Sequence, residues 1–307
     1  MTWISDDVIE RAARFLWTTA RVLEQRRFAW HFLGGGGGPG GVLDALDAYR
    51  TEDGGYAYGL EPDVRGPAPQ PSTLRAAVPV LAETGALGDT RTAALCDWLA
   101  GVTEPDGGVP AALPTLRPYP HPPWIRVPDA LTGGLLPTGW IVGPMLRADV
   151  PHPWVAGASD FCRGAVDALT ESRAETHPYE VHAALAYLEG APDRVWAREA
   201  AARLGELVRE QRLVVLDPTH PEQVRIPPGY AAGEFHFPHD YAPAPDSLAR
   251  PWFSETEIEN SLTHLVNSQE EDGGWPVRWA RWSPTTHTEA RPMVTLDALL
   301  ILRDYSK

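Results

Sequence analysis

The sequence predicts an all-α protein built from repeated helical hairpins. Three observations predict it. Apolar residues recur at helical spacing through most of the chain, as in Ile258, Leu262, Leu265 and Val266. Three such runs end on one kind of turn, Asp53-Gly54-Gly55, Asp106-Gly107-Gly108 and Asp272-Gly273-Gly274. The turns are also regularly placed: Asp53 to Asp106 is 53 residues, and Asp106 to Asp272 is 166, three steps of about 55. Glycine ends a helix because it takes left-handed backbone angles at little steric cost, and the aspartate can bond back to local amides. The missing steps fall near Asp160 and Asp217, which no glycine follows, so those units are expected to be degenerate.

In chain order, residues 5–31 read as a helix, with Ser5 as N-cap and Asp6 and Asp7 in its first turn, where carboxylates suit the helix dipole. A glycine-rich connection at 34–41 follows; no Lys-Ser/Thr pair comes after it, so it is no phosphate-binding loop. Residues 40–50 form the next helix, then the Asp53 turn, then a loop carrying Tyr58, Glu61, Asp63 and Arg65. Helices are expected at 71–84 and 89–100, the first opened by Pro71, since proline suits the first helical turn. A long proline-rich loop at 109–128 carries Tyr119, His121, Trp124 and Arg126. Helices follow at 135–146, 158–171, 178–189 and 193–211, with a short extended piece expected within 208–216. A second long loop, 218–250, holds His236, His239 and Asp240. Ser254 and Glu257 have the spacing of a capping box for a helix ending at Gln269. The last loop holds Trp279, Trp282 and His287, and Pro292 is expected to open the final helix. Each hairpin has one apolar stripe per helix and must stack on its copies to bury it.

Gln269, Gly273 and Trp275 match the Gln-x-x-x-Gly-x-Trp repeat of squalene–hopene-type terpene cyclases, and the Asp-Gly-Gly turns resemble those of protein prenyltransferase β-subunits. The first copy has Arg50 and Tyr56 at the Gln and Trp places, the second Thr103 and Val109. The resemblance implies an α/α toroid of about five to six hairpins, one domain over residues 1–307 made of degenerate repeats of about 55 residues. It implies two rings of helices around a central cavity, with the loops after the turns gathering Glu61, Asp63, Trp124, Trp279 and Trp282 at its mouth.

Composition narrows the ligand. The net charge is −15, from 41 acidic and 26 basic residues, which argues against nucleic acid, anionic membranes and polyanionic polysaccharides and leaves a neutral or cationic small molecule as partner. No uncharged apolar run approaches the ~18 residues of a membrane span. The first residues lack a signal-peptide core, so a cytoplasmic protein is expected, its oligomeric state open. Two cysteines, Cys96 and Cys162, make no disulfide framework.

The candidate acid is Asp63, with Glu61 as its partner. A carboxylic acid raised in pKa by apolar neighbours or a second carboxylate can protonate an alkene or epoxide. The Asp-x-Asp-Asp signature of protonating cyclases is reduced here to acid-x-acid spacing, and an ion pair with Arg65 or Arg75 that pins the loop is the plainer alternative. Tyr58, Arg65, Trp124, Trp140, Trp279 and Trp282 are the expected lining, with His236, His239 and Asp240 binding polar parts of the substrate. The His-x-x-His spacing lacks a Cys pair to make a metal site. Asp160 and Cys162 resemble the Asp-x-Cys zinc ligands of the prenyltransferase β-subunit, with His287 as a third; zinc is the one metal this raises, and no cofactor is expected. His177, Glu180 and His182 read as helix-capping residues or an acid/base pair. The leading reading is a terpene-cyclase-like cyclase, isomerase or lyase. A carbohydrate-active toroid and a non-catalytic binding or scaffold protein are the alternatives.

Overall fold

The computed structural model describes residues 2–35, 38–172 and 174–307; Gly36 and Gly37 of the glycine connection lie outside the described residues. Among them the chain is all-α, of paired helices, with no strand and one isolated bridge, Arg50 to Tyr56. The helices are α1 (Asp6–Thr19), α2 (Val22–Phe32), α3 (Gly40–Asp47), α4 (Leu74–Glu83), α5 (Thr90–Val102), α6 (Leu135–Arg147), α7 (Pro153–Glu171), α8 (Pro178–Gly190), α9 (Arg194–Glu210), α10 (Pro238–Tyr241), α11 (Glu255–Asn267) and α12 (Pro284–Asp304). They fall into two compact units, Met1–Ala45 with Gly205–Lys307, and Leu46–Leu204.

The three Asp-Gly-Gly turns share one geometry. Gly54, Gly107 and Gly273 take φ of 93°, 93° and 94°. In each, the aspartate side chain accepts from the second glycine's amide, at 3.2, 3.0 and 3.0 Å. A backbone bond to the second glycine closes the turn: the amides of Thr51, Glu104 and Glu270 donate to the Gly55, Gly108 and Gly274 carbonyls at 2.9, 2.9 and 2.8 Å. A side chain at the left-handed glycine has no room: a Cβ on Gly273 would stand 2.2 Å from the Arg11 carbonyl of α1, and one on Gly54 2.5 Å from the Ala94 carbonyl of α5.

The segment after the turn repeats in two of the copies. Thr138 Oγ1 of α6 accepts the Val109 amide, and Thr295 Oγ1 of α12 accepts the Trp275 amide, both at 3.0 Å. The first copy departs: Thr73 is buried, and its hydroxyl has no partner among the described residues.

In the unit 1–45 with 205–307, α1 is capped by Ser5, which accepts the Val8 amide at 3.3 Å, and buries Val8, Ala12, Phe15 and Leu16 on one stripe. Gln269 staples α1 to the end of α11: its Nε2 donates to the Val8 and Gly273 carbonyls at 3.1 and 2.9 Å, and its Oε1 accepts from Arg11. Trp275 is buried, with Nε1 donating to the Leu265 carbonyl at 2.7 Å. Thr103, at the glutamine's place in the second copy, ties its own unit likewise, accepting from Trp154 Nε1 of α7 at 2.7 Å. The capping box of α11 forms as expected: Glu257 N donates to Ser254 Oγ at 3.2 Å, and Ser254 N to Glu257 Oε2 at 2.8 Å.

Several boundaries differ from the sequence reading. The first helix is two, because the Thr18 and Thr19 hydroxyls bond back to the Arg14 and Phe15 carbonyls and Ala20 turns extended. The last helix begins at Pro284 and carries Pro292 inside it, so His287 is helical. The loop at 218–250 contains α10, and the extended piece expected within 208–216 is not a strand. Asp160 lies inside α7, so no turn stands there; Asp217 does make one, accepting from the Thr219 amide at 2.9 Å.

In the unit 46–204, α6 and α8 lie backbone against backbone. A Cβ on Gly139 would meet the Ala183 carbonyl oxygen at 2.4 Å, and one on Gly143 the Ala186 oxygen at 1.8 Å. This approach brings the rings carried by the two helices within stacking distance.

Candidate functional site

The two long loops of the unit 46–204 pack on each other. Val64 joins Ala112 and Leu116 in a buried cluster, with Tyr119, Ile125 and Val127 against it. Gln70, fully buried, locks them further: its Oε1 accepts the Leu113 amide at 2.7 Å and its Nε2 donates to Thr115 Oγ1 at 2.8 Å. The loop holding Glu61, Asp63 and Arg65 is therefore fixed on the loop holding Trp124. Glu61 and Asp63 are half-buried, and the Asp63 amide donates to Glu61 Oε1 at 3.5 Å. Tyr58 holds a left-handed φ of 58° and donates its amide to the Gly66 carbonyl at 3.0 Å. Tyr58 and Trp124 are 55% and 40% exposed, so neither lies in an enclosed cavity.

A second cluster in this unit joins three helices. The Arg75 guanidinium of α4 lies over the rings of Trp140 on α6 and Tyr179 on α8, 5.4 and 5.3 Å from their centroids. His182 stacks on Trp140 at 6.5 Å and tilts against Tyr179 at 6.3 Å. His177 is the N-cap of α8, its Nδ1 accepting the Tyr179 amide at 3.4 Å, which is the capping role expected of this segment.

The unit 1–45 with 205–307 brings together the three polar residues expected to bind substrate. Asp240 Oδ2 accepts the Phe237 amide at 2.7 Å and its Oδ1 pairs with Arg278 at 2.7 Å. Arg278 also lies over the Phe237 ring at 5.2 Å and donates to the Phe235 carbonyl at 3.0 Å. Ser261 of α11 accepts the His239 amide at 3.1 Å and faces His239 Nδ1 at 2.6 Å. A hydroxyl that already accepts the amide is free to donate to Nδ1, which leaves the proton on Nε2, 3.6 Å from Asp240. His236 Nε2 meets the Tyr230 hydroxyl at 2.8 Å, and Phe237 stacks on His264 at 4.4 Å. Trp279 and Trp282 are half-buried in the loop before α12.

Electrostatics divides these groups. Burial alone would raise the Asp240 carboxyl, but Arg278, then His239 and His236, more than offset it and hold it well below the usual range. Burial pushes the His239 imidazole down to about 4 from 6.5, and burial followed by Arg278 lowers His264. At neutral pH the Asp240 carboxylate is ionised and the His239 and His264 imidazoles are neutral, so Asp240 accepts hydrogen bonds and does not supply a proton. Burial raises the Cys162 thiol, and among the described residues no three of His, Cys, Asp and Glu lie close enough to hold a metal ion.

Stability should depend on pH through His239. It binds its proton at about 6.5 when unfolded and about 4 when folded, so its contribution is fully present above 6.5 and lost as pH falls towards 4. The loss is on the order of 3 kcal/mol for this group. The melting temperature of wild type, compared with that of His239→Gln, should fall more steeply between those values; parallel curves would show that His239 does not carry the dependence.

The sequence reading missed Arg75, Tyr179, Arg278, His264 and Tyr230 as members of these clusters. His264 had a signal: it lies three residues after Ser261, on one face of α11. Arg75, an expected alternative partner for the acid loop, forms no ion pair among the described residues.

No protein-family model matches the chain, and no curated protein matches it. Among solved structures, a protein from Actinoplanes is similar with a TM-score of 0.59 and 15% identity, covering 98% of this chain and 99% of its own. The type II terpene cyclase MstE from Scytonema is similar in its complexes with merosterolic acid A and with geranylgeranyl dihydroxybenzoate. The TM-scores are 0.46 and 0.44 at 14% and 15% identity, covering 97% and 96% of this chain and 86% and 87% of theirs. The Actinoplanes likeness is one of fold alone, and the MstE scores are too low for shape to carry an argument.

Proposed function

We propose that this chain is a terpene-cyclase-like enzyme, a cyclase, isomerase or lyase, acting by acid catalysis on a small and mostly apolar substrate. The observation that carries the reading is the fixed acid loop. Val64 and Gln70 pin it to the neighbouring loop, and Glu61 and Asp63 stand half-buried at its turn beside an apolar cluster. A positioned carboxylic acid near apolar groups suits proton transfer to an alkene. Asp63 is the acid and Glu61 its partner. Asp240 is unsuited to that role, because Arg278 keeps it ionised. Trp124, on the loop to which the acid loop is pinned, supplies a ring face that stabilises a developing cation. The proton added at one carbon of the substrate leaves from another, so a cyclised product keeps the substrate's mass.

The test is incubation of the purified protein with linear prenyl compounds, including prenylated dihydroxybenzoates, followed by mass spectrometry and chromatography. The expected product has unchanged mass and shifted retention, and Asp63→Asn lowers its rate by at least ~100-fold. Turnover that survives Asp63→Asn would refute the acid assignment. A second reading, a ligand-binding protein without turnover, is favoured by the reduction of the Asp-x-Asp-Asp signature to Glu61-x-Asp63; saturable binding without any product would select it.

A further inference from the structure

We infer that Arg75 seats an oxyanion, carboxylate or phosphate, carried on an otherwise apolar ligand. The inference rests on the small-molecule reading proposed for this chain and adds the class of its head group.

Several arginines in this acidic chain are gripped by carboxylates. Arg91 meets Asp47 and Asp89 at 2.7 and 2.9 Å, Arg278 meets Asp240 at 2.7 Å, and Arg291 meets Glu270 and Asp272 at 2.6 and 2.7 Å. Arg75 differs. It forms no hydrogen bond or ion pair with the described residues, and its guanidinium rests instead on two ring faces, Trp140 and Tyr179. Its side chain is nonetheless open to solvent, where a ligand can reach it.

Two rings hold the guanidinium in place through their quadrupoles without using its N–H donors. The planar fork of donors stays available, and its geometry fits the paired oxygens of a carboxylate or phosphate. A cation fixed beforehand loses little freedom on binding, so its contribution to affinity is large. The neighbouring surfaces are aromatic, His182 stacked on Trp140 and His177 on Tyr179, which suits an apolar body behind the charged head.

Binding of farnesoic acid, farnesyl diphosphate and farnesol to the full chain by calorimetry tests this. At least one of the two oxyanions should bind wild type about tenfold or more tightly than the alcohol, and which one does identifies the head group. Arg75→Met, which keeps the apolar stem, should erase that preference while farnesol affinity stays within about twofold; Arg75→Lys should keep part of it. Far-UV circular dichroism checks that both variants are folded, as an exposed side chain predicts. Equal binding of all three compounds, binding of neither oxyanion, or a preference that survives Arg75→Met overturns the inference. Product formation is measured separately: an Arg75-dependent preference without turnover leaves this inference standing and removes the enzyme reading, and turnover indifferent to Arg75→Met does the reverse.

Discussion

Gly143→Ala is expected to destabilise the unit 46–204 by about 3 kcal/mol or more, lowering its melting temperature by roughly 5–10 °C. The added Cβ would stand 1.8 Å from the Ala186 carbonyl oxygen and 2.5 Å from its carbon. Both obstacles are backbone of α8, so no side chain can rotate away, and the contact is met again from the other helix, where a Cβ on Gly190 would lie 1.9 Å from the Gly143 oxygen. Only separation of α6 from α8 relieves it. That separation would pull Trp140 from His182, so a change in near-ultraviolet dichroism should accompany the loss. Gly157→Ala in α7 is the control: nothing lies within 4 Å of its added Cβ, and alanine there should be neutral or stabilising by up to ~1 kcal/mol. Equal melting of the two variants would show that α6 and α8 are not in backbone contact.

Arg278→Met should lower stability by about 3–5 kcal/mol at neutral pH, because it strands a mostly buried carboxylate. Asp240 is 17% exposed and depends on Arg278 for its depressed pKa. The sign with pH is definite. A carboxyl depressed in the folded state stabilises above its unfolded value of 3.8 and loses that contribution as pH falls below it. The gap between wild type and Arg278→Met should therefore be widest near neutrality and narrow in acid. Combining Arg278→Met with Asp240→Asn should recover part of the loss, since the amide oxygen can still accept from the Phe237 amide and no charge is left unpaired. Denaturant unfolding of the two single variants and the double variant measures this; an additive double variant would dissolve the proposed pair.

The hairpin plan was legible because its signals are local. Ser5 and the Ser254–Glu257 box cap the helices they precede, and three Asp-Gly-Gly triplets build one turn. Boundaries were lost where two local signals compete. Pro284 and Pro292 both suit a helix start, and the earlier one wins with Ser283 as N-cap and the Thr286 hydroxyl bonding the Ser283 carbonyl at 3.0 Å. The start of α7 was readable in hindsight from His152-Pro153, the same cap-and-proline pair as His177-Pro178 at α8. The site was legible only in part, for a different reason. His236, His239 and Asp240 are near neighbours in sequence, and reading them as one polar group anticipated their cluster. Arg75, Trp140 and Tyr179 come from three helices, and only the close approach of α6 and α8 and the placement of α4 bring their side chains together.

The unit formed by Met1–Ala45 and Gly205–Lys307 is interrupted by all of Leu46–Leu204. During synthesis the apolar stripe of α1 emerges well before Gln269 and Gly273, which clasp it, and before Ser306, whose hydroxyl accepts the Trp3 amide at 2.8 Å. At ordinary ribosomal speeds the 159 residues between the two halves take roughly 10–30 s to make. For that interval α1 and α2 have only each other to pack on, so the nascent chain carries a sticky earlier segment, and the contiguous segment is positioned to fold before the discontinuous one.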